Sequence, residues 1–233
     1  MTLRAVLFDK DGTLTDFHKT WVPAYQAAAA LIEEWSRGTA SASELLRVGG
    51  FDVTTGRCSA SSPLACGSGR EIAELWCSHS GLDFQRVLVG IEAKFGEHAA
   101  TEPVPSADLD DLFRRLQRRG FTLGVATMDS EQLAHQTLAT LDVAHYFSFV
   151  CGYDSGFGEK PDAGMVHGFC NAVDMKPDEI AVVGDTPHDL NMARAANVQL
   201  AIGVLTGASD AALLSSLADH VLPSIGQLES VLF

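Results

Sequence analysis

Two carboxylates stand one residue apart near the start of the chain, directly after a short apolar run. The run Ala5–Phe8 is followed by Asp9, Lys10 and Asp11. Such a run predicts a buried strand, and because alternate residues of a strand share one face, we expect Asp9 and Asp11 together and Lys10 pointing away. One carboxylate can attack a phosphorus atom while the other handles the proton of the departing oxygen. The pair is therefore a candidate for phosphoryl transfer, with an ordinary strand-ending turn as the alternative.

A hydroxyl-bearing segment follows the apolar run 121–126, which predicts a second strand. Thr127 and Met128 begin this segment, and Asp129 and Ser130 continue it towards a predicted helix. A hydroxyl together with free backbone N–H groups at a helix start can bind an anion. The alternative is an ordinary helix cap formed by Asp129 or Ser130. Thr127 and Met128 are therefore candidates for holding a phosphoryl group.

A second pair of aspartates follows the apolar run 180–183. Asp185 and Asp189 stand four residues apart at a predicted helix start, where both can face one ion. Carboxylates about 4 Å apart repel one another by several kcal/mol at an effective dielectric of roughly 20, so convergence with the first pair requires a cation. Oxygen ligands favour a hard ion, and Mg²⁺ suits a site that also holds phosphate and water. His188, between the two acids, is expected on the helix surface.

The net charge of the chain limits what it can bind. The 233 residues carry a formal charge of −14, which argues against nucleic acid and anionic membranes as partners because both require a basic face. An anionic substrate then needs a local reversal of the field, supplied by a bound metal and a few lysines. Lys160, in the glycine-rich loop after the apolar run 147–151, is the candidate lysine, although a lone loop lysine is usually solvated.

The composition is that of a globular chain, with 46% hydrophobic and 20% charged residues. The sequence contains no run of 18 or more apolar residues and no basic start followed by an apolar signal core, so neither a membrane span nor a secretion signal is predicted. Five cysteines without a Cys-x-x-Cys pair indicate reduced thiols. We expect a cytoplasmic protein that is a monomer or a homodimer.

Beyond residue 103 the sequence alternates between helical periodicity and short apolar runs, which predicts an α/β fold with a parallel sheet covered by helices on both faces. Between the first strand and this alternation the spacing is helical, over a length far greater than an ordinary crossover. We therefore expect a core domain of residues 1–17 and 101–233, and an inserted all-helical cap domain of residues 18–100. Ligands of such sheets bind at the carboxyl ends of the strands. The predicted strands after the first are 121–126, 147–151, 180–183 and 198–202.

The four segments, in their order and spacing, resemble the motifs of the haloacid dehalogenase superfamily of phosphohydrolases. The resemblance covers the whole chain and implies a Rossmann-like core on which an aspartyl-phosphate forms. It implies that Asp9 is the nucleophile and that Asp11 acts first as general acid and then as general base. It further implies that Thr127 and Met128 bind the phosphoryl oxygens, and that Lys160 holds both the nucleophile and the phosphate.

The resemblance also implies a magnesium site. Asp9, Asp185 and the backbone carbonyl of Asp11 would hold the ion, and Asp189 would coordinate it directly or orient a bound water. The dehalogenase branch of the superfamily typically lacks an aspartate two residues after its nucleophile, so Asp11 favours phosphoryl transfer over dehalogenation.

The inserted helices resemble the cap of the phosphoglycolate phosphatase-like branch, which acts on small phosphorylated metabolites such as phosphoglycolate and sugar phosphates. We therefore expect a phosphatase for a small phosphomonoester. A phosphomutase with the same carboxylates and a non-catalytic binding protein are the alternatives. The Gly49–Gly69 segment lacks helical spacing and is either a specificity loop or a solvated connector, and Arg57 and Arg70 are candidates for substrate contact.

Overall fold

The structure is a computed structural model that describes residues 2–59 and 62–233. It divides into two compact units. One contains Met1–Asp16 and Pro103–Phe233, and we call it the sheet unit; the other contains Phe17–Glu102, and we call it the helical unit. Every candidate catalytic, phosphate-binding and metal-binding residue named above lies in the sheet unit.

The elements are numbered in chain order. The strands are β1 (Ala5–Phe8), β2 (Phe51–Asp52), β3 (Arg57–Cys58), β4 (Thr122–Ala126), β5 (Phe147–Cys151), β6 (Ile180–Gly184), β7 (Leu200–Val204) and β8 (His220–Leu222). The α-helices are α1 (Phe17–Trp35), α2 (Ala42–Val48), α3 (Pro63–Cys66), α4 (Gly69–Ser80), α5 (Phe84–Thr101), α6 (Leu109–Arg118), α7 (Glu131–Thr140), α8 (Gly164–Val173), α9 (Pro187–Ala195), α10 (Ala211–Ser215) and α11 (Glu229–Leu232).

Six parallel strands form the centre of the sheet unit, in the order β5-β4-β1-β6-β7-β8. The first strand of the chain lies in the interior of the sheet, where Leu7 is in register with Gly124 on one side and with Val182 on the other. The predicted α/β fold with a parallel sheet is therefore confirmed. The order also makes neighbours of the four strands whose ends carry the candidate residues.

The short strand β1 is apolar throughout because helices cover both faces of the sheet. Val6 and Phe8 belong to a core cluster that includes residues of α6 and α7, whereas Leu7 belongs to a cluster that includes residues of α8 and α9. All four residues of β1 are fully buried. The strand is thus held on both faces as well as on both edges, which fixes the point where it ends.

Several boundaries differ from the sequence-based expectation, and two of them are informative. The apolar spacing predicts a helix over 190–196, but helix α9 begins at Pro187, because Thr186 and Asp189 form a capping box and proline is favourable in the first turn. Strand β7 ends at Val204, two residues beyond the predicted end. The sixth strand, β8, was not predicted, because three residues are too few for a periodic signal.

The helical unit is built on the long helices α1 and α5, which pack against each other. Trp76 of α4 is fully buried and donates from Nε1 to the carbonyl of Leu45 over 2.9 Å. The expectation of an all-helical unit needs one correction, because β2 and β3 form a small antiparallel pair. No helix in the described ranges is both long and apolar enough to cross a membrane.

The four cysteines whose side chains are described are free thiols. The side chain of Cys66 lies outside the described part of the chain. The described cysteines are Cys58, Cys77, Cys151 and Cys170.

Candidate active site

The candidate residues gather at one edge of the sheet, where three adjacent strands end. Asp9 follows β1 directly, and its backbone N–H donates to the carbonyl of Val183 in β6 over 2.8 Å. Thr127 follows β4, and its N–H donates to the carbonyl of Cys151 in β5 over 3.0 Å. Asp185 is the first residue after β6. The ladder thus extends just past the strands, and the carboxyl edge of the parallel sheet carries the polar groups.

Lys160 joins two of the four predicted carboxylates. Its Nζ lies 2.6 Å from Asp9 Oδ1 and 2.6 Å from Asp189 Oδ1. The lysine side chain is 1% exposed and the Asp189 side chain 2% exposed, so the interaction is shielded from solvent. The expectation that a loop lysine is solvated therefore does not apply to Lys160.

Asp185 is held by backbone and has little room to move. The N–H of Ala208 donates to Asp185 Oδ2 over 3.1 Å. Gly12 has a φ of +86°, and a Cβ at this position would lie 2.6 Å from the Asp185 Cγ. A Cβ at Gly207 would overlap the same carboxylate. The two glycines therefore allow the loops after β1 and β7 to close around Asp185.

The carboxylates of Asp9, Asp185 and Asp189 form an acidic cluster, in which one oxygen of each lies within 4.8 Å of the others. Asp189 uses both of its oxygens: Oδ1 contacts Lys160, and Oδ2 accepts from the backbone and hydroxyl of Thr186 over 3.0 and 2.6 Å. By contrast, Asp9 Oδ2 and Asp185 Oδ1 are buried and have no hydrogen-bond partner among the described residues.

Two buried, unpartnered carboxylate oxygens in an oxygen-only cluster fit a hard divalent cation. Asp9 and Asp185 supply the free atoms, whereas Asp189 is oriented by its own hydrogen bonds. Of the two roles implied for Asp189, an indirect one through water fits these contacts better than direct coordination.

The charges in the cluster are unequal, since three carboxylates face one ammonium group. Burial raises the pKa of Asp9 from 3.8 to about 7; Lys160 opposes this rise and Asp189 adds to it. Burial, followed by the charges of Asp9 and Asp189, raises the pKa of Asp185 well above 3.8. Burial acts to lower the pKa of Lys160, but Asp189 and Asp9 raise it above its ordinary value. The lysine is thus charged, and the cluster favours a further positive charge.

The Asp11 side chain does not join the acidic cluster. Its Oδ2 lies 2.5 Å from Lys10 Nζ, and its Oδ1 accepts from the hydroxyl of Thr15 over 3.4 Å. The expectation that Lys10 points away from the pair is wrong, because the chain turns after β1 and strand alternation no longer applies. The carboxylate of Asp11 is 20% exposed and so remains accessible. Its implied ligand atom is the backbone carbonyl, a role that stays a prediction.

Thr127 is buried at the end of β4, and its Oγ1 accepts from the N–H of Asp129 over 3.1 Å. Met128 is 44% exposed and its thioether cannot donate a hydrogen bond, so its backbone N–H is the part that can serve an anion. The cap of α7 is Ser130, whose hydroxyl accepts from the N–H of Leu133. Asp129 is therefore not the helix cap.

Comparison with known proteins agrees with this geometry. The model of the haloacid dehalogenase-like hydrolase family matches residues 3–197. The chain belongs to this family. The predicted assignment to the superfamily, and with it the prediction of a hydrolytic enzyme, is confirmed.

Two relatives match most of the length of the hydrolase. Phosphoglycolate phosphatase 1 of Pseudomonas aeruginosa is 28% identical over 201 residues, which cover 85% of this chain and 68% of the relative. A phosphoglycolate phosphatase of Neisseria meningitidis serogroup A is 29% identical over 215 residues, covering 91% and 85%. These relatives confirm the resemblance to the phosphoglycolate phosphatase-like branch.

A solved structure shows the same fold. The crystal structure of a protein described as a predicted phosphoglycolate phosphatase from Haemophilus somnus superposes with a TM-score of 0.76 at 17% identity. The match covers 99% of this chain and 98% of that chain.

Lys10 and Asp129 form an ion pair beside the candidate site that the sequence analysis did not predict. Lys10 Nζ lies 2.8 Å from Asp129 Oδ2 as well as 2.5 Å from Asp11. The signal that could have found it is the presence of a long cationic side chain between two acids in an otherwise apolar strand end. His188 is exposed on α9, as expected.

The helical unit of the hydrolase contains both arginines considered for substrate contact. Arg70 pairs with Glu74 over 3.3 Å, and its guanidinium lies over the ring of Phe84. Arg57 is exposed in β3. Residues 60 and 61 of the segment considered as a specificity loop lie outside the described part of the chain. Contact of these arginines with substrate stays a prediction.

Proposed function

We propose that this hydrolase is a Mg²⁺-dependent phosphatase that cleaves a small phosphomonoester through a phosphorylated Asp9. The observation that carries the proposal is the position of Asp9. Its carboxylate is buried at the end of a central strand, is held by Lys160 on one oxygen, and has its other oxygen free beside Asp185. A fixed carboxylate next to a site for a cation is suited to attack on a phosphorus atom.

The reaction proceeds in two displacements. In the first, a carboxylate oxygen of Asp9 bonds to phosphorus, the bond from phosphorus to the ester oxygen breaks, and the protonated Asp11 gives its proton to the departing alcohol. In the second, water attacks the same phosphorus, Asp11 takes a proton from that water, and the bond to Asp9 breaks. The products are the alcohol and inorganic phosphate, and both aspartates return to their starting state.

The surrounding residues bind and orient the phosphoryl group. Asp9, Asp185 and the backbone carbonyl of Asp11 would hold Mg²⁺. The bound ion would supply positive charge to the phosphoryl oxygens. Lys160 keeps the Asp9 carboxylate in place and adds a second positive charge. The hydroxyl of Thr127 and the backbone at Met128 would bind the remaining phosphoryl oxygens.

The substrate class follows from the relatives and from the inserted helices. The two relatives are named phosphoglycolate phosphatases, so phosphoglycolate and sugar phosphates are the first substrates to test. The helical unit is inserted between the segment that carries Asp9 and the segment that carries Thr127, and we propose that it is the cap that selects the substrate. The cytoplasmic location and the monomeric or homodimeric state stay predictions.

The test is phosphate release from a panel of phosphomonoesters that includes phosphoglycolate and hexose phosphates. Each ester is incubated with Mg²⁺, with EDTA, and with the Asp9→Asn variant. Asp174→Asn is the matched control, because Asp174 is an exposed residue with a φ of +53°, a conformation that asparagine tolerates. We expect release that requires both Mg²⁺ and Asp9 and that persists in the control.

Two other outcomes would contradict the proposal. An isomerised sugar phosphate without free phosphate would identify a phosphomutase. Absence of any turnover by folded, Mg²⁺-loaded protein would favour a binding role.

A further inference from the structure

We propose that Lys10 is a positioning residue for the proton-transferring carboxylate of Asp11, and that its ion pair with Asp129 ties that carboxylate to the phosphate-binding loop. The inference rests on the proposed function, in which Asp11 protonates the leaving alcohol. It assigns a role in the reaction to a side chain whose ion pairs are with Asp11 and Asp129 rather than with the acidic cluster.

The first observation is the burial of Lys10. Its side chain is 1% exposed, yet its ammonium group lies between two carboxylates, 2.5 Å from Asp11 Oδ2 and 2.8 Å from Asp129 Oδ2. Burial acts to lower the pKa of Lys10, but Asp11 and Asp129 raise it above its ordinary value. Lys10 therefore presents a fixed positive charge from the interior side of Asp11.

The second observation is that Asp11 is held at both oxygens. Lys10 contacts Oδ2, and the buried hydroxyl of Thr15, a donor to the Lys10 carbonyl and to Oδ1, lies 3.4 Å from each. The backbone of Lys10 organises the same turn, because its carbonyl accepts from the N–H groups of Leu14 and Thr15 over 2.9 and 3.1 Å. The carboxylate is thus oriented by two groups that are themselves fixed, while part of it stays exposed for a substrate.

The third observation concerns the other partner of Lys10. Asp129 belongs to the loop that begins at Thr127, and its N–H donates to Thr127 Oγ1 over 3.1 Å. The carbonyl of Asp129 accepts from the N–H of Tyr153 over 3.0 Å, which anchors the loop to the segment after β5. The ion pair therefore sets the distance between the proton donor and the candidate phosphate-binding hydroxyl.

Energetic considerations argue that Lys10 has more than a structural role. A buried ion pair loses much of its Coulomb attraction to desolvation, and an apolar side chain of similar volume often stabilises a protein as well or better. An apolar side chain, however, cannot fix the orientation of the neighbouring Asp11 carboxylate. Catalysis by proton transfer depends on the orientation of the carboxylate, because its proton must be within hydrogen-bond reach of the leaving oxygen.

The experiment compares two substrates that differ in their need for a proton. The leaving oxygen of an alkyl phosphomonoester must be protonated as the bond breaks, whereas p-nitrophenyl phosphate releases a stable anion that needs no proton. The variants are Lys10→Met, Asp129→Asn and the double variant, with Asp11→Asn as the reference. Lys94→Met is the control, because Lys94 makes a 2.7 Å ion pair with Glu97 on the surface of α5. Product release is followed by rapid mixing in Mg²⁺, and thermal unfolding is measured for each variant.

We expect Lys10→Met to show the same kind of kinetic defect as Asp11→Asn. Turnover of the alkyl ester should fall on the order of 10- to 100-fold, without a burst. With p-nitrophenyl phosphate, one equivalent of nitrophenol should appear rapidly and slow turnover should follow, because only the second displacement then needs Asp11. Asp129→Asn should show the same pattern to a smaller extent. Lys94→Met should match the wild type on both substrates.

The double variant separates positioning from stability. Lys10→Met leaves the carboxylates of Asp11 and Asp129 facing each other, and Asp129→Asn removes one of these charges. We therefore expect the double variant to regain thermal stability but not alkyl ester turnover. Recovery of both, or equal loss of the first displacement with the two substrates, would overturn the positioning role.

The proposed function fails in a different way. It fails if the wild type releases no phosphate from any ester, or if Asp11→Asn leaves alkyl ester hydrolysis unchanged. The positioning role alone fails if Asp11→Asn shows the expected defect while folded Lys10→Met behaves like the wild type.

Discussion

Once divalent metal has been removed, the free energy of unfolding of the protein should fall as the pH rises from about 4 to about 7. Asp9 has its pKa raised by burial from 3.8 to about 7. Between these values the unfolded chain has lost the proton and the folded protein still binds it. The unfolded state then binds fewer protons than the folded state, so the free energy of unfolding falls with rising pH and levels off above about 7.

The magnitude follows from the same two values. A tenfold change in an equilibrium constant corresponds to about 1.4 kcal/mol, so the interval from 3.8 to about 7 corresponds to roughly 4 kcal/mol at most. Asp9→Asn removes the titrating group and keeps the shape of the side chain. Without metal, the variant and the wild type should have similar stability at the acid end of the window. At the alkaline end, the variant should be more stable by up to about 4 kcal/mol.

The assay is denaturant unfolding of both proteins in EDTA at several pH values across the window, repeated with Mg²⁺. A cation that binds only the folded state stabilises it, by about 3 kcal/mol at a concentration a hundred times the dissociation constant. Mg²⁺ should therefore stabilise the wild type most where Asp9 is ionised. It should stabilise Asp9→Asn less, because the variant lacks one ligand oxygen.

Taking the difference in the free energy of unfolding between the wild type and Asp9→Asn cancels the contribution of titrating groups elsewhere in the chain. A difference in EDTA that is the same at every pH, or a wild type that gains stability over the variant as the pH rises, would refute the argument. Either result would mean that the cluster of three carboxylates and one lysine accommodates the charge on Asp9 without a metal.

Three further substitutions test the packing around the site and in the helical unit. Gly207→Ala should weaken Mg²⁺ binding in a calorimetric titration, because its Cβ would overlap the Asp185 carboxylate; Gly96→Ala, in open space within α5, should leave binding unchanged and stabilise the fold by about 0.5–1 kcal/mol. Trp76→Phe should lower the free energy of unfolding by about 1–3 kcal/mol in urea, because it removes a buried hydrogen bond to Leu45 and part of a filled volume.

The sequence predicted the elements whose signal is local. The apolar run Ala5–Phe8 and the alternation after residue 103 predicted the sheet, and polar residues at the strand ends predicted which of its edges is reactive. The pair β2–β3 and the strand β8 were not predicted, because elements of two or three residues carry no measurable periodicity. β2 and β3 pair with each other across a short turn, and β8 pairs with the preceding strand β7.

The prediction that Lys10 points away from the two aspartates was wrong for a different physical reason. Strand alternation places side chains correctly only while the chain stays in the ladder, and β1 ends at Phe8. The chain then turns through Gly12, and the flexible lysine side chain reaches the loop after β4. No local pattern encodes that contact, since Asp129 is separated from Lys10 by more than a hundred residues.

The two buried lysines divide the carboxylates of the site by function. Lys160 joins Asp9 to Asp189, and Lys10 joins Asp11 to Asp129. Each lysine thus holds one carboxylate proposed to react and one that anchors it to a neighbouring segment, which is helix α9 for Asp189 and the loop after β4 for Asp129.

Asp185 is the exception to this pairing. It forms no ion pair with any described residue, has a buried oxygen without a hydrogen-bond partner, and has its pKa raised by burial and by Asp9 and Asp189. In a chain with a net charge of −14, a buried ionised carboxylate without a cationic partner is unfavourable, so Asp185 either takes up a proton or binds a cation from solution. In the proposed mechanism the protein therefore supplies the cation beside Asp9 and the cation beside Asp11, and we expect Asp185, together with the free oxygen of Asp9, to bind the metal.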